Sequence, residues 1–218
     1  WAGPEIAVAT TKGYTTQLSL LYLLALHISK KTDRVSSSEY TRLISKLQSI
    51  PKLIQTTIDM NSGICSLAQK YYKANSVFFI GRNSDYAIAL EGALKMKEIS
   101  YIHAEAYAAG ELKHGTIALI DVGTPVIALA CNEKLKEKTI SNIVEVKARG
   151  AFVLAVTCEG NKEIEKAADY VIYIPETNPY FANSLAIIPL QLFGYYVAVG
   201  KGCDVDKPRN LAKSVTVE

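Results

Sequence analysis

The chain has 218 residues, 49% of them hydrophobic and 21% charged, which is ordinary for a globular protein that buries a sizeable core. The formal net charge of +3 is small and the basic residues are scattered, which argues against a nucleic-acid partner. Four cysteines and three histidines show none of the close spacings of a zinc site or a redox pair, and no secretory signal is visible. We therefore expect reduced thiols, no metal and a cytoplasmic location.

The first third of the chain is predicted to be helical. Residues 14–31 carry apolar side chains at helical spacing, and residues 39–60 and 62–73 show two further amphipathic patterns. Pro51 is expected to break or kink the second helix. Because the chain begins at Trp1 within patterned sequence, we expect a fragment in which residues 1–74 are the helical end of a preceding domain.

From residue 75 onward, short apolar runs rich in Val, Ile and Phe alternate with helical stretches, which predicts a parallel sheet covered by helices on both faces. The predicted strands are 76–80, 125–130, 151–156 and 170–174, whereas 117–120 fits either a fifth strand or a turn. The predicted helices are 85–100, about 104–112, 133–148, 161–168 and 182–200. The last of these is nearly long enough to cross a bilayer, but its proline and glutamine favour a buried helix. Residues 75–201 thus form a complete α/β domain, followed by a C-terminal tail, 202–218.

The helix after the first strand carries Glu91, Lys95 and Glu98 on one stripe, at positions i, i+4 and i+7. Two interpretations remain open. The stripe is either solvated, with an ion pair between Glu91 and Lys95, or it lies in a cleft where Glu98 acts as a general base near Lys95. Ligands of open α/β sheets bind at the carboxyl ends of the strands, so we expect a cleft at the start of this helix. The single glycine there fits no dinucleotide fingerprint.

Two further segments carry candidate residues. His114 is a better catalytic candidate than His103, because Gly115 follows it and suits a turn that projects the ring, although a lone histidine is more often structural. The tail mixes Pro208 and Arg209 with valines, an unusual composition for a free terminus. A buried lysine there, such as Lys213, could form a Schiff base with a carbonyl, but the composition alone does not distinguish this role from a disordered end.

Three segments, AGPEIAVATTKGYTTQL (2–18), LEGALKMKEISYIHAEAYAAGELKHG (90–115) and DVDKPRNLAKSVTVE (204–218), resemble the isomerase half of the glucosamine-6-phosphate synthases. These enzymes are also called glutamine:fructose-6-phosphate amidotransferases. Their isomerase half holds two sugar-isomerase (SIS) domains, each a flavodoxin-like α/β fold. The resemblance implies that the chain is the helical end of the first SIS domain, the whole second one and the active-site tail. Since the Ser/Thr-rich phosphate loop and the glutaminase domain are missing from it, we expect the fragment alone to be inactive.

The resemblance also implies an activity, the conversion of fructose 6-phosphate and glutamine to glucosamine 6-phosphate and glutamate, the first step of hexosamine biosynthesis. Lys213 resembles the lysine that forms a Schiff base with the open-chain sugar, and Glu98 the base that moves a proton between carbons 1 and 2. Lys95 resembles a helper near Glu98 and the ring oxygen. His114 resembles the ring-opening histidine, which the neighbouring subunit of a homodimer supplies.

Three other positions, Val8, Thr10 and Ala212, resemble residues that contact the sugar. No metal or organic cofactor is implied, because an acid, a base and an imine-forming lysine suffice. The alternatives are a SIS-domain regulator that binds a phosphosugar without turnover, and a fructosamine deglycase or simple ketose–aldose isomerase of the same fold. A regulator needs neither Lys213 nor Glu98, so these two residues distinguish the enzyme from a regulator. The C-terminal tail argues against all of these alternatives.

Overall fold

Five short strands form one parallel sheet in the computed structural model, which describes residues 2–212. They are β1 (Ser76–Gly81), β2 (His103–Ala108), β3 (Pro125–Ala130), β4 (Phe152–Cys158) and β5 (Tyr170–Ile174). Their spatial order is β2-β1-β3-β4-β5, and every neighbouring pair is parallel. This is the order of flavodoxin-like folds, as predicted.

Helices cover both faces of the sheet, and the part of the chain before the first strand is also helical. Within residues 2–212 they are α1 (Lys12–Lys31), α2 (Ser37–Met60), α3 (Ile64–Tyr71), α4 (Ser84–Ser100), α5 (Lys136–Lys147) and α6 (Ala182–Gly200). Short 3₁₀ turns occupy Ala109–His114, Thr116–Leu119 and Glu163–Lys166. The 117–120 segment is therefore a turn rather than a strand, and Pro51 does not break α2, which runs through it.

Two hydrophobic cores lie on the two faces of the sheet, because successive strand residues point to opposite sides. Phe79 belongs to the core that α3, α4 and α6 cover, and its neighbour Phe78 belongs to the core under α5. Among the described residues, α6 alone is long and apolar enough to cross a membrane. However, 67% of its most apolar window is buried within the protein, as in the core helix of a soluble domain.

The predicted helix at about 104–112 is wrong, since this segment forms strand β2 and then a 3₁₀ turn. Alanine and glutamate favour helices locally, which misled the prediction. However, His103, Glu105 and Tyr107 alternate with alanines, and this period of two lets the small residues face the core while the backbone pairs with β1 along its whole length. Tertiary pairing therefore overrides the local helical preference.

Residues 2–11, here called the N-terminal segment, and residues 202–212, the described part of the tail, lie together beside α4 and α6. The Val8 N–H donates to the Asp206 carbonyl at 2.9 Å. Ala9 packs with Ile99 of α4 and Ala198 of α6 in a small third cluster, against which Val205 of the tail also lies. Residues on four separate stretches of the chain thus meet at one place.

Candidate functional site

The direction of α4 determines where its charged stripe lies. The helix starts after the carboxyl end of β1 and returns across the sheet to the start of β2. Its 17 residues span about 25 Å at about 1.5 Å per residue. Lys95 and Glu98 therefore lie at the amino edge of the sheet, not at the carboxyl edge where the general rule for open sheets predicts a cleft.

Lys95, Glu91 and Glu98 form a compact charged cluster. The Lys95 Nζ lies 2.5 Å from Oε2 of Glu98 and 3.6 Å from Oε1 of Glu91. The Lys95 side chain is only 5% exposed, against 14% for Glu91 and 23% for Glu98. The cluster is thus largely buried rather than a solvated stripe, and Glu98 is its most accessible carboxylate.

Burial and neighbouring charges raise the pKa of two groups near Lys95. Burial raises the pKa of Glu91, the Lys95 charge opposes this rise, and the charge of Glu98 adds to it. Burial and the nearby Glu91 raise the pKa of Tyr14, on α1, to about 12, so its hydroxyl stays protonated at neutral pH. One lysine thus pairs with two carboxylates, and burial favours the protonated form of Glu91 more than it would for an exposed carboxylate.

A cavity of about 170 Å³ opens beside Lys95. Its wall comes from the N-terminal segment, α4, α6 and the tail, including Thr11, Gln191, Tyr195 and Asp206. The Gln191 side chain reaches a buried position where its Nε2 has no hydrogen-bond partner within residues 2–212. This cavity therefore presents a charged group, Lys95, to a polar molecule. A larger cavity of about 460 Å³, between α1 and α2, touches none of the candidate residues that the structure describes.

The tail is fixed at the end of α4 by Tyr101. The Arg209 N–H donates to the Tyr101 hydroxyl at 2.8 Å, and the Arg209 guanidinium lies 4.2 Å from the centre of the Tyr101 ring. Tyr101 itself adopts a left-handed conformation with φ of 61°, which ends the helix. The tail and the N-terminal segment therefore both contribute residues to the cavity beside Lys95.

The three sugar-contact candidates lie in these two segments. Val8 and Thr10 are half-buried in the N-terminal segment, whereas Ala212 is exposed at the end of the described tail. Glu5 accepts the backbone N–H of Thr11 at 2.7 Å and thereby satisfies a free donor at the start of α1. Lys213 lies outside the described residues.

His114 lies apart from the Lys95 cluster. It ends the 3₁₀ turn that follows the carboxyl end of β2, at the opposite edge of the sheet. Its side chain is 76% exposed and its Nε2 is 3.7 Å from the equally exposed Glu111. Gly115 has φ of 142°, which L-residues rarely adopt, so the predicted turn after His114 is confirmed.

The turn that carries His114 is nevertheless tied to the core. Arg82 donates from Nε and Nη2 to the Asn142 Oδ1 at 3.0 and 2.9 Å. The same guanidinium covers Gly110, where an added Cβ would lie only 3.1–3.3 Å from it. Lys113 pairs with Glu145 of α5 at 2.8 Å. The backbone of the turn is thus anchored although the imidazole faces solvent.

Sequence reasoning missed Tyr14, Tyr101 and Gln191. Tyr14 and Gln191 read as ordinary residues of apolar helices, and only the packing of α1 and α6 against α4 brings them near Lys95. Tyr101 offered a weak signal, because it follows a long helix where a left-handed residue is common.

The SIS domain model matches residues 70–200, which is more than half of the chain. The chain belongs to the SIS domain family. The matched region contains the whole sheet and both edges described above, and the SIS fold thus accounts for the placement of Glu98 and His114 at opposite ends of the strands.

The alignments with two of its curated relatives cover the whole of this SIS-domain chain. The glutamine–fructose-6-phosphate aminotransferase (isomerizing) of Caldanaerobacter subterraneus subsp. tengcongensis is 56% identical over 218 residues, and that of Clostridium tetani is 55% identical. In both cases the chain spans 36% of the relative's length.

Two solved structures share the fold over nearly the whole of this chain. The C-terminal domain of glucosamine-fructose-6-phosphate aminotransferase from Francisella tularensis is 38% identical, with a TM-score of 0.88 over 94% of this chain and 58% of that one. A glucosamine-6-phosphate deaminase from Thermotoga maritima is 25% identical, with a TM-score of 0.69 over 99% of this chain and 60% of that one.

Proposed function

We propose that this chain is the isomerase part of an enzyme that converts fructose 6-phosphate and glutamine to glucosamine 6-phosphate and glutamate. The observation that carries the proposal is the buried Glu91–Lys95–Glu98 cluster at the meeting point of α4, the N-terminal segment and the tail. The identity of 55–56% over the whole chain to enzymes of that name supports it.

In this proposal Glu98 moves a proton between carbons 1 and 2 of the open-chain sugar. A general base must be fixed and partly desolvated, and Glu98 is held by Lys95 at 2.5 Å while still 23% exposed. Lys95 keeps the carboxylate oriented and lies on the cavity wall, where it can also reach the ring oxygen of a bound sugar. Val8, Thr10 and Ala212 contact the sugar from the two segments beside the cavity.

Lys213 forms the Schiff base with the carbonyl at carbon 2. It directly follows Ala212 in the sequence. The hydrogen bond between Arg209 and Tyr101, which fixes the preceding part of the tail at the end of α4, supports this role. Ammonia released from glutamine then replaces the lysine nitrogen, and proton transfer to carbon 2 gives the amino sugar. These steps need no metal or organic cofactor.

His114 opens the sugar ring in the active site of a neighbouring subunit, within a homodimer. Its position supports this, since it is anchored through its turn, exposed, and at the opposite edge of the sheet from Glu98 of the same chain. Two-fold symmetry would create two equivalent composite sites.

The domain division at residues 1–74, 75–201 and 202–218 and the cytoplasmic location belong to the same proposal. Residues 1–74 end a first SIS domain, and the exposed apolar face of α1 is where the rest of that domain would pack. Five large side chains of this face are at least 47% exposed: Leu20, Leu21, Leu23, Leu24 and Ile28. The other 64% of the relatives' length leaves ample chain for that domain and for a glutaminase domain.

The test is a turnover assay of the full-length protein with fructose 6-phosphate and glutamine, and product identification by mass spectrometry. Borohydride added with fructose 6-phosphate should trap an adduct on Lys213, which Lys213→Arg removes because a guanidinium cannot form the imine. A regulator would bind the sugar without turnover, and a deglycase or simple isomerase would act without glutamine. Either result, or an adduct on Lys95, would contradict the proposal.

Mixing subunits tests the shared site. His114→Ala and Lys213→Ala proteins should each be inactive, and exchanged mixtures should regain activity, because each mixed dimer has one intact site. Mixtures of two His114→Ala preparations are the control. No recovery in a sample shown to exchange subunits would remove His114 from the partner's site.

A further inference from the structure

Two cysteines that are 27 residues apart in sequence become neighbours at the carboxyl edge of the sheet. Cys131 directly follows β3, and Cys158 is the last residue of β4. The two strands pair in parallel with Ala130 opposite Thr157, so the next position of the register sets Cys131 opposite Cys158. Both side chains point to the same face of the sheet, since both belong to the core cluster of Leu129 and Val156.

The spacing of the pair suits a disulfide. Neighbouring parallel strands lie about 4.8 Å apart, within the range of about 4.4–6.8 Å between Cα atoms that a disulfide can bridge. The Cys158 Sγ lies 3.9 Å from the Cys131 carbonyl oxygen, so it already leans toward the neighbouring strand. All four cysteines of the chain are free thiols here, and Cys65 and Cys203 lie on other elements.

The two thiols differ in access and acidity. Cys158 is half-buried, whereas Cys131 is buried. Interaction with the Cys131 thiol lowers the pKa of Cys158, although burial and the acidic side chains of Asp85, Glu133 and Glu176 oppose this. The same thiol–thiol interaction, together with burial and Asp85, raises the pKa of Cys131. The accessible thiol is thus the readier nucleophile, and the buried one is placed to react second.

We propose that Cys131 and Cys158 form a reversible intramolecular disulfide when the protein meets a peroxide. The Cys158 thiolate attacks a peroxide oxygen, the O–O bond breaks, and the departing hydroxide takes a proton to become water. The Cys131 sulfur then attacks the Cys158 sulfenic acid, the S–O bond breaks, and the leaving hydroxide takes the Cys131 proton as a second water. Two thiols are oxidised and one peroxide is reduced, and a thiol reductant reverses the change.

The bond would act on the backbone next to Asp85. This buried carboxylate accepts the N–H groups of Cys131 at 2.9 Å and Asn132 at 3.0 Å, and it lies in the first turn of α4. A disulfide would therefore tie β4 to the point where β3 and α4 are already joined. The proposal does not depend on the assigned activity, because neither cysteine has a role in it.

Peptide mapping of the full-length protein after hydrogen peroxide tests the proposal. Trypsin should release residues 114–134, which contain Cys131, and residues 150–162, which contain Cys158. After blocking of free thiols, we expect these two peptides as one linked species that dithiothreitol separates. Cys158→Ser should abolish the link, and Cys65→Ser, the matched half-buried control, should leave its yield unchanged.

Cys131→Ala removes the second thiol with a small apolar side chain that suits the buried position. In that variant Cys158 should accumulate as a sulfenic acid that dimedone labels, while the same label should be absent from the wild-type protein. Oxidation of Cys158 without any link to Cys131 in the wild-type protein would overturn the proposal. Links that involve Cys65 or Cys203 at equal yield would also overturn it.

Discussion

The two edges of the sheet hold pairs of ionisable side chains with the same spacing in opposite environments. At the amino edge, Lys95 and Glu98 are three residues apart, 2.5 Å from each other, and only 5% and 23% exposed. At the carboxyl edge, Glu111 and His114 have the same spacing, lie 3.7 Å apart, and are 71% and 76% exposed. The first pair is enclosed by its own chain, and the second faces outward from an anchored turn.

This difference shows that a spacing in the sequence does not by itself define a chemical role. A buried pair has strong electrostatic coupling because little water screens it, whereas an exposed pair of the same spacing contributes little. The burial of the amino-edge pair supports the proposal that this edge is the acid–base site. The role proposed for His114 at the carboxyl edge requires a second surface, that of a neighbouring subunit, to cover it.

The largest expected effect is on turnover by Glu98→Gln in the full-length protein. The amide keeps the shape of the side chain but cannot accept the proton, so the rate of sugar isomerisation should fall by about 10²–10⁴. Glu133→Gln is the matched control, because Glu133 is 73% exposed in a pair of the same spacing with Lys136, 2.6 Å away and beyond the end of β3, and it should leave the rate within about two-fold. Steady-state rates of both variants, with circular dichroism as a check of folding, measure the contrast. Similar rates for the two variants would break the comparison.

Stability should separate the edges next. Lys95→Met leaves Glu91 and Glu98 as like charges without their shared cation, and loss of one member of a buried pair costs about 3–5 kcal/mol. Because the two carboxylates are still 14% and 23% exposed, we expect a loss of about 2–3 kcal/mol in the free energy of unfolding. Urea unfolding of the purified protein at pH 7 measures it.

Lys113→Met is the control for that experiment, because it removes an exposed lysine from a comparable ion pair with Glu145. It should unfold at nearly the wild-type urea concentration. A Lys95→Met protein as stable as this control would show that the buried cluster does not stabilise the fold.

Asp85 allows a test by pH at the carboxyl edge. Burial raises its pKa from 3.8 to about 6, so the folded protein binds its proton more tightly than the unfolded chain does. Stability should therefore fall as the pH rises from about 4 to about 6, by about 3 kcal/mol for a shift of about two units. In Asp85→Asn this fall should flatten, because the amide does not ionise and its oxygen can still accept both N–H groups that Oδ2 accepts. Urea unfolding of both proteins from pH 4 to pH 7 measures the difference, and parallel curves would assign the pH dependence to other groups.

Much of the fold follows from the sequence because buried parallel strands are continuous apolar runs. The bounds of β3 and β5 were predicted to the residue for this reason, and α4 and α6 followed from long helical patterns. Strand β2 was not predicted, because its alanines and glutamate favour a helix until β1 offers a pairing partner. A local pattern therefore fails where a long-range partner decides the structure.

The site was predicted less completely, and for the same reason. The stripe of Glu91, Lys95 and Glu98 was visible, but the sequence could not say whether it is solvated, since burial depends on α1, α6 and the tail. The adjacency of Cys131 and Cys158 was hidden by their separation along the chain and appears only with the β3–β4 register. The placement of Lys95 and Glu98 at the amino edge also required the direction of α4.

The smallest expected effect concerns the Tyr101 anchor, which keeps the tail beside the amino edge. Tyr101→Phe retains the ring under the Arg209 guanidinium but removes the hydroxyl that accepts the Arg209 backbone N–H. One such hydrogen bond contributes about 1 kcal/mol. Hydrogen exchange of the Arg209 amide should therefore become about five-fold faster, whereas the global free energy of unfolding should hardly change, because the tail opens locally. Tyr173→Phe is the matched control, because it removes a hydroxyl of β5 that donates to Glu165, away from the tail. It should leave the hydrogen exchange of the Arg209 amide unaltered. If Arg209 exchanges at the same rate in both variants, the ring and not the hydroxyl holds the tail, and Tyr101→Leu should then release it.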